Sequence, residues 1–378
     1  MTTPADRRYG WLLLLRTPGL GAAALRRQLQ LDGSVEQALQ TITARATGEA
    51  GQWLRHPDPA LLGADLAWLA EPGHHLLCWG EPDYPPQLLH LDDAPAALFV
   101  AGDPSLLLRP QIAVVGARGA SAAGRGHARR FAAELARRGF VVTSGLAEGI
   151  DGEAHLAALD AGGASLAVIG TGADRVYPAS HHALARRLAE TGAVVSELVP
   201  GTPARPWHFP RRNRLIAGLS LATVVIEAGL QSGSLITARL AAEQGREVFA
   251  LPGSIDHPLA RGCHRLIREG ARLVEAPEEV AEAMAGPAAA MGTVLLERLA
   301  IETPAVVAGD RVAVGEGWRA DPEYVDLLHA LGHDPTPLEA LVERTGQPVS
   351  AVSSMLLMLE LEGLVESLSG ARYQRLED

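Results

Sequence analysis

The stretch FPRRNRLIAGLS, residues 209–220, sets Arg211, Arg212 and Arg214 around Asn213, with Arg205 a few residues upstream. Guanidinium groups at that density seat oxyanions, because the planar fork matches a phosphate bidentately and keeps its charge. Pro210 suits the first position of a helix, which puts Arg211, Arg212 and Arg214 in its first turn. Cations there oppose the helix dipole at about 0.3–1 kcal/mol each, so an anion in the site accounts for the placement. Ion pairs with Glu197 and Glu227, the carboxylates nearest in sequence, are the structural alternative. A row of phosphates, as in a single-stranded nucleic acid, explains adjacent cations more completely than one small ligand. Tyr177, Trp207 and Phe209 offer faces for base stacking, although Trp207 and Phe209 serve equally well in a core.

Three further segments have anion-binding chemistry. GARGASAAG (116–124) follows an apolar run and opens a helix. Gly116 and Arg118 there can cradle a phosphate, unless Arg118 pairs with a carboxylate of a neighbouring loop. SGLAEGIDGEAH (144–155) offers the Ser144 hydroxyl and the bare amide of Gly145, with Asp151 read as a helix cap and His155 as a packed helix residue. QSGSLITA (231–238) brings Ser232, Gly233, Ser234 and Thr237 to another helix start, where free amides and the dipole favour an anion. Ordinary capping by Ser232 or Ser234 is compatible with that role. The first loop is not G-x-G-x-x-G, and no acid follows the second strand to take a ribose hydroxyl. Both points argue against a dinucleotide, and no cofactor is expected.

The elements that would position these loops follow from the apolar rhythm. Strand-length runs at 112–116, 140–144, 165–170, 193–198, 222–228, 246–251 and 271–275 alternate with helix-length stretches. That pattern predicts a parallel α/β sheet covered on both faces, with ligands beyond the carboxyl ends of the strands. Residues 1–82 read as a small helical domain in which Gly19-Leu20-Gly21 fits a helix-hairpin-helix turn or a plain helix start; 83–285 is the α/β core, 286–320 a linker, and 321–378 a winged helix with turns at Gly346 and Ser369-Gly370.

Charge divides along the same lines. The chain of 378 residues has a formal charge of −11, yet residues 102–275 hold 20 arginines against 15 carboxylates. Residues 321–378 hold 11 carboxylates against 3 arginines. The core therefore attracts anions, while the last segment repels phosphate and is expected to contact protein. Every one of the 33 basic residues is arginine, which removes lysine-based phosphate loops and Schiff-base chemistry. The 2 cysteines, Cys78 and Cys263, suggest no disulfide framework, and the 13 histidines show no zinc spacing, so no metal is expected. The apolar run Trp11–Leu15 is too short for a signal or a membrane span. A cytoplasmic protein without a membrane association is the expectation.

In the order DYPPQLLHLDDAPAALFVAGD, VVGARGAS, SGLAEGIDGEAH, GTGADRVYP, SELVPG, FPRRNRLIAGLS, VVIEAGLQSGSLITA and ALPGS, the core resembles the DprA (Smf) family across residues 83–275. The resemblance implies an extended Rossmann-like core between an N-terminal helical (helix-hairpin-helix or SAM-like) domain and a C-terminal winged helix. It also implies a homodimer formed through that core. The implied function is binding and protecting incoming single-stranded DNA and loading the RecA recombinase on it, in natural transformation, with no catalytic residues. On this chain the implied DNA contacts are Arg118, Ser144, Gly145, Arg212, Asn213 and Arg214, with the Ser232–Thr237 segment bordering them. Ala117, Ala123, Ala260 and His264 depart from the family's usual residues.

Two enzymes are the rivals. A LOG-type phosphoribohydrolase would align its motif with QSGSLIT but needs acids after Thr237, where Ala238, Arg239 and Leu240 stand. A metal-dependent nuclease would need Glu148, Asp151 and Glu153 to converge. On the binding reading, about four to six phosphate contacts give a log–log salt slope of about −3 to −4. Arg212→Ala and Arg214→Ala are each expected to flatten that slope without unfolding the protein.

Overall fold

Short runs of Val, Ile, Ala and Leu make the strands, because such side chains fill a surface buried on both faces. The computed structural model describes residues 4–298 and 322–376, apart from 333, 348, 362, 363 and 369–371. The chain forms two units, Met1–Ala300 and Ile301–Asp378. In the first, one sheet holds β1 (His74–Cys78), β2 (Ala97–Gly102), β3 (Gln111–Val115), β4 (Val141–Ser144), β5 (Ser165–Val168), β6 (Ala193–Ser196), β7 (Ala222–Val225), β8 (Glu247–Ala250) and β9 (Arg272–Leu273). The order across it is β1-β2-β6-β5-β4-β3-β7-β8-β9. Neighbours from β6 to β9 are parallel, and β2 then β1 extend the β6 edge antiparallel. The chain winds outward from β3 to β6, then returns to β7 on the other side of β3. The order thus reverses between β3 and β7, which opens a crevice there.

The helices of this unit are α1 (Pro4–Leu15), α2 (Ala22–Asp32), α3 (Val35–Arg45), α4 (Gly48–Arg55), α5 (Pro59–Ala70), α6 (Pro86–Leu89), α7 (Ala122–Arg137), α8 (Ile150–Asp160), α9 (His182–Thr191), α10 (His208–Leu219), α11 (Ser234–Glu243), α12 (Arg261–Arg268) and α13 (Pro277–Arg298). One sheet face packs Val115, Val168 and Val225 against Leu215 and Leu219 of α10, Ala238 of α11 and Leu266 of α12. On the other face Ile112 and Val142 meet Phe131 of α7, Ile150 of α8 and Met284 of α13. Farther along that face Phe99 and Val194 meet Leu188 of α9 and a cluster from the N-terminal helices that includes Trp11, Leu25 and Leu62. Gly19, at φ 74, turns α1 into α2.

Two expectations change. The first 82 residues were expected to be helical, but β1 lies among them and pairs with β2, because His74–Cys78 completes the sheet edge. The expected linker begins inside α13, which continues to Arg298 despite Pro287; residues 299–320 lie outside the described part. No described helix is long and apolar enough to cross a membrane.

The second unit is a winged helix: α14 (Pro322–Leu331), β10 (Thr336–Pro337), α15 (Leu338–Thr345), α16 (Val349–Leu361), β11 (Val365–Leu368) and β12 (Arg372–Arg375), with sheet order β10-β12-β11. Gly346, left-handed at φ 69, ends α15, and Leu327, Leu341, Leu356 and Val365 form the core. The expected turn at Ser369-Gly370 lies outside the described residues.

Candidate nucleic-acid interface

A cleft of about 670 Å³ opens at the carboxyl ends of β3 and β7. Its first wall is the loop after β3. Gly116 is glycine for packing: a Cβ there would lie 2.6 Å from Ile150 Cγ1 and 2.9 Å from the Glu227 carbonyl oxygen. The next amide, Ala117, donates to that same carbonyl at 2.7 Å. Gly149 holds φ 78, and a Cβ on it would run into the carbonyls of Ala117 and Arg118. These glycines lock two loops together and leave Arg118 projecting. Arg118 is exposed, makes no ion pair among the described residues, and its Cζ sits 5.9 Å from the centre of the Phe209 ring. The Tyr177 and Phe209 rings are 5.3 Å apart and tilted by 42°.

The second wall is α10, which starts at His208, two residues earlier than Pro210 suggests, with Trp207 as a cap residue lacking a side-chain cap bond. At 100° per residue, the sequence cluster splits. Phe209, Arg212, Asn213 and Ile216 face the cleft, whereas Arg211 and Arg214 turn away. Arg214, only 5% exposed, donates from Nη2 to Glu197 Oε2 at 2.6 Å and has Nε 2.7 Å from Asp93 Oδ2. Arg211 reaches the same Glu197 oxygen at 3.3 Å, with its side chain half exposed. Arg211 and Arg214, expected as phosphate ligands, thus both pair with Glu197, as the structural alternative has it. Glu227 plays no part in this pairing; its carboxylate accepts from the Ser121 amide at 2.9 Å and hydroxyl at 2.6 Å, fixing the start of α7.

Arg212 is buried beneath the cleft. Its Nη1 donates to the carbonyls of Gly145, at 2.6 Å, and Val168. Burial lowers its pKa to about 10, partly offset by the negative charge of Asp151. Asp151 accepts the amides of Gly145 at 3.1 Å and Ala147 at 3.4 Å, while burial raises its own pKa against the pull of Arg212. It was expected to cap its own helix; it ties down the loop before α8 instead, where Leu146 adopts φ 59. Gly145 is thus committed through both backbone groups, and a side chain there would strike the Arg212 guanidinium. Ser144 is fully buried, its hydroxyl donating to the Val114 carbonyl at 2.7 Å. It is a fold residue and offers nothing to a ligand.

The third wall is the start of α11. Ser232, Gly233, Ser234 and Thr237 line the cleft, the Ser232 and Ser234 hydroxyls lie 2.7 Å apart, and Gly233 caps the helix without a side-chain bond. The first-turn amides are already paired, Ser234 with Ser232 Oγ at 3.4 Å, Leu235 with the Ser232 carbonyl at 3.1 Å and Ile236 with the Gly233 carbonyl at 3.1 Å, so the hydroxyls and the helix dipole are what this end offers an anion. Asn213 joins α10 to it through a 3.4 Å contact with the Gly233 carbonyl. Arg205 lies outside the cleft lining, exposed, 5.5 Å above the ring of Trp207, itself 62% exposed. Of the sequence-derived residues, then, Gly116, Arg118, Arg212, Asn213, Ser232, Gly233, Ser234 and Thr237 share the cleft. Sequence reasoning missed Gln231 and Gly149. Gln231 carries no distinctive pattern; Gly149 directly precedes a helix, which could have marked it.

The carboxylates of the nuclease reading diverge. Glu148 accepts from Ser180 Oγ at 3.2 Å, Glu153 pairs with Arg129 at 2.7 Å, and Asp151 holds the loop. Beyond Thr237, Arg239 pairs with Glu243 at 3.5 Å. His155 is fully buried against Ser165 Oγ at 2.7 Å. Burial, aided by the charges of His181 and Arg212, pushes its imidazole down to about 3. The unfolded value is about 6.5, so on acidification the unfolded chain takes the proton first. The stabilisation is complete above about pH 6.5 and is lost as pH falls towards about 3. Unfolding free energy measured from about pH 6.5 downward is expected to drop by roughly 1.4 kcal/mol per unit from this residue, with a shallower dependence in His155→Leu; equal slopes would contradict the assignment.

Comparison with known proteins bears on this geometry. Residues 75–285 match the family model "DNA recombination-mediator protein A", and 319–371 match "DprA winged helix domain". The Escherichia coli K12 protein Smf is 41% identical over 366 residues, 93% of this chain and 89% of its own. The DNA processing protein DprA of Streptococcus pneumoniae R6 is 47% identical over 197 residues, 52% of this chain and 70% of its own. Among solved structures, DprA from S. pneumoniae aligns with a TM-score of 0.65 and 36% identity, covering 72% of this chain and 97% of that one. DprA from Helicobacter pylori, described for its single-stranded DNA binding mode, aligns with a TM-score of 0.51 and 27% identity, covering 56% of this chain and 97% of that one.

Proposed function

Because the chain belongs to the DNA recombination-mediator protein A family, we propose that it binds single-stranded DNA in the cleft between β3 and β7, protects it, and passes it to the RecA recombinase during transformation. The observation that carries this is the Arg118 guanidinium, without an ion pair among the described residues, lying over Phe209 beside Tyr177, with Arg212 beneath and the start of α11 opposite. Guanidinium groups and the hydroxyls at the positive end of α11 take the backbone; the rings need bases that are free to stack, which favours a single strand over a duplex. With Arg211 and Arg214 committed to Glu197, about three phosphate contacts remain, and the expected log–log salt slope falls to about −2. The protein works as a binder without catalysis, in the cytoplasm, as a homodimer joined through the Rossmann-like core.

Competition between single- and double-stranded oligonucleotides of one sequence tests the reading. The single strand is expected to win; equal competition defeats it. Release of free base from a nucleoside monophosphate would favour the phosphoribohydrolase instead. For the partner, the protein is expected to shorten the lag before RecA hydrolyses ATP on single strands precoated with single-strand-binding protein, and an unchanged lag would count against the hand-over.

A further inference from the structure

A second groove, of about 450 Å³, opens between α7, α8 and the start of α9 and shares Arg118 with the lining of the cleft. Its α7 rim is cationic. Arg125 stands there in the first turn of α7, exposed and without an ion pair among the described residues. A cation in that turn opposes the helix dipole, a cost that an anion beside it offsets. Arg129 follows one turn on, about 6 Å along the axis. Its contact with Glu153 at 2.7 Å neutralises one carboxylate of the groove. The other, Glu148, accepts from Ser180 Oγ at 3.2 Å and so belongs to the α9 side. Between the two sides α8 contributes Gly149 and Gly152. Gly152 admits no side chain, because a Cβ there would lie 2.8 Å from His181 Cε1. The groove therefore leads away from Arg118 past two glycines, with guanidinium groups along one side. An anionic chain that leaves the cleft at Arg118 meets Arg125 next, and Glu148 on the far side keeps it against α7.

We propose that this groove carries the bound strand out of the cleft, with Arg125 the phosphate contact next after Arg118. The proposal rests on the single-strand reading of the cleft and gives the strand a course and a longer footprint. Binding of labelled oligo(dT) of about 6 and about 15 nucleotides to the full chain, over a salt series, is the test, with Arg125→Ala and Arg118→Ala alongside. On the longer strand Arg125→Ala is expected to weaken binding by about threefold to fivefold, the worth of an exposed ion pair, and to take about 0.7 from the log–log salt slope. On the shorter strand, which the cleft holds alone, it is expected to bind as the wild type does, which also shows the fold intact. Wild-type affinity and slope on the longer strand overturn the proposal, and so does an equal loss at both lengths, which would place Arg125 among the contacts of the cleft itself. If Arg118→Ala weakens both lengths while Arg125→Ala weakens neither, the cleft reading stands and the exit groove falls. If Arg118→Ala binds both lengths as the wild type does, the single-strand reading itself fails, and the groove with it.

Discussion

Replacing Arg214 with alanine is expected to lower the free energy of unfolding by about 3–5 kcal/mol, the usual cost of removing one partner from a buried ion pair. Arg214 and Glu197 have side chains only 6% and 7% exposed. Without Arg214, the Glu197 carboxylate stays buried with the longer contact to Arg211 as its remaining arginine partner. Asp93 also loses its cation, but it is largely exposed and relaxes into water at little cost. Arg211→Ala is the internal control: its side chain is 55% exposed, so stability is expected to change by about 0.5 kcal/mol or less. Urea unfolding of both variants checks this. A stability loss in Arg214→Ala as small as that in Arg211→Ala would return Arg214 to the list of ligand-facing cations.

Arg118→Glu is expected to behave in the opposite way, keeping its stability and losing its ligand. The side chain is exposed and bonded to no carboxylate among the described residues, so reversal leaves nothing buried without a partner. In the cleft it replaces an attraction to phosphate with a repulsion. A hydrogen bond to a charged group contributes about 1.5–3 kcal/mol, so loss plus repulsion is expected to weaken single-strand binding by about 100-fold or more. Fluorescence anisotropy with a labelled single strand reads the affinity, and the melting curve reads the fold. Wild-type affinity in this variant would move the DNA path away from the β3 loop.

Most of the architecture could be read from the sequence. Apolar runs of strand length alternating with helix-length stretches gave the parallel core, because a sheet buried on both faces requires nearly continuous hydrophobicity. β1 was missed because HHLLC carries neither β-branched residues nor alternation, and its strand conformation comes from pairing with β2. The site was legible as loops and less so as side chains. Arg211, Arg212 and Arg214 appear as one cationic group along the chain, yet helical periodicity alone places Arg212 with Phe209, Asn213 and Ile216 and sends the other two to the opposite side. Ser144 illustrates a different limit: a hydroxyl at a strand end looks available until the neighbouring strand supplies the Val114 carbonyl. Arg212 was found for its charge, but its burial and its bonds to Gly145 and Val168 are tertiary facts. Arg212→Ala is therefore expected to loosen the loop before α8 as well as weaken binding, unlike the clean change in salt dependence that the sequence suggested.

The central claim is that Arg118 faces the DNA while Arg211, close by in sequence to the cleft-facing Arg212, is turned to Glu197. The salt dependence of single-strand affinity, measured as a log–log slope for the wild type, Arg118→Ala and Arg211→Ala, addresses it most directly. Each lost phosphate contact removes about 0.7 from the slope. A slope reduced by about that amount in Arg118→Ala and unchanged in Arg211→Ala is the predicted result; the reverse pattern would contradict the account.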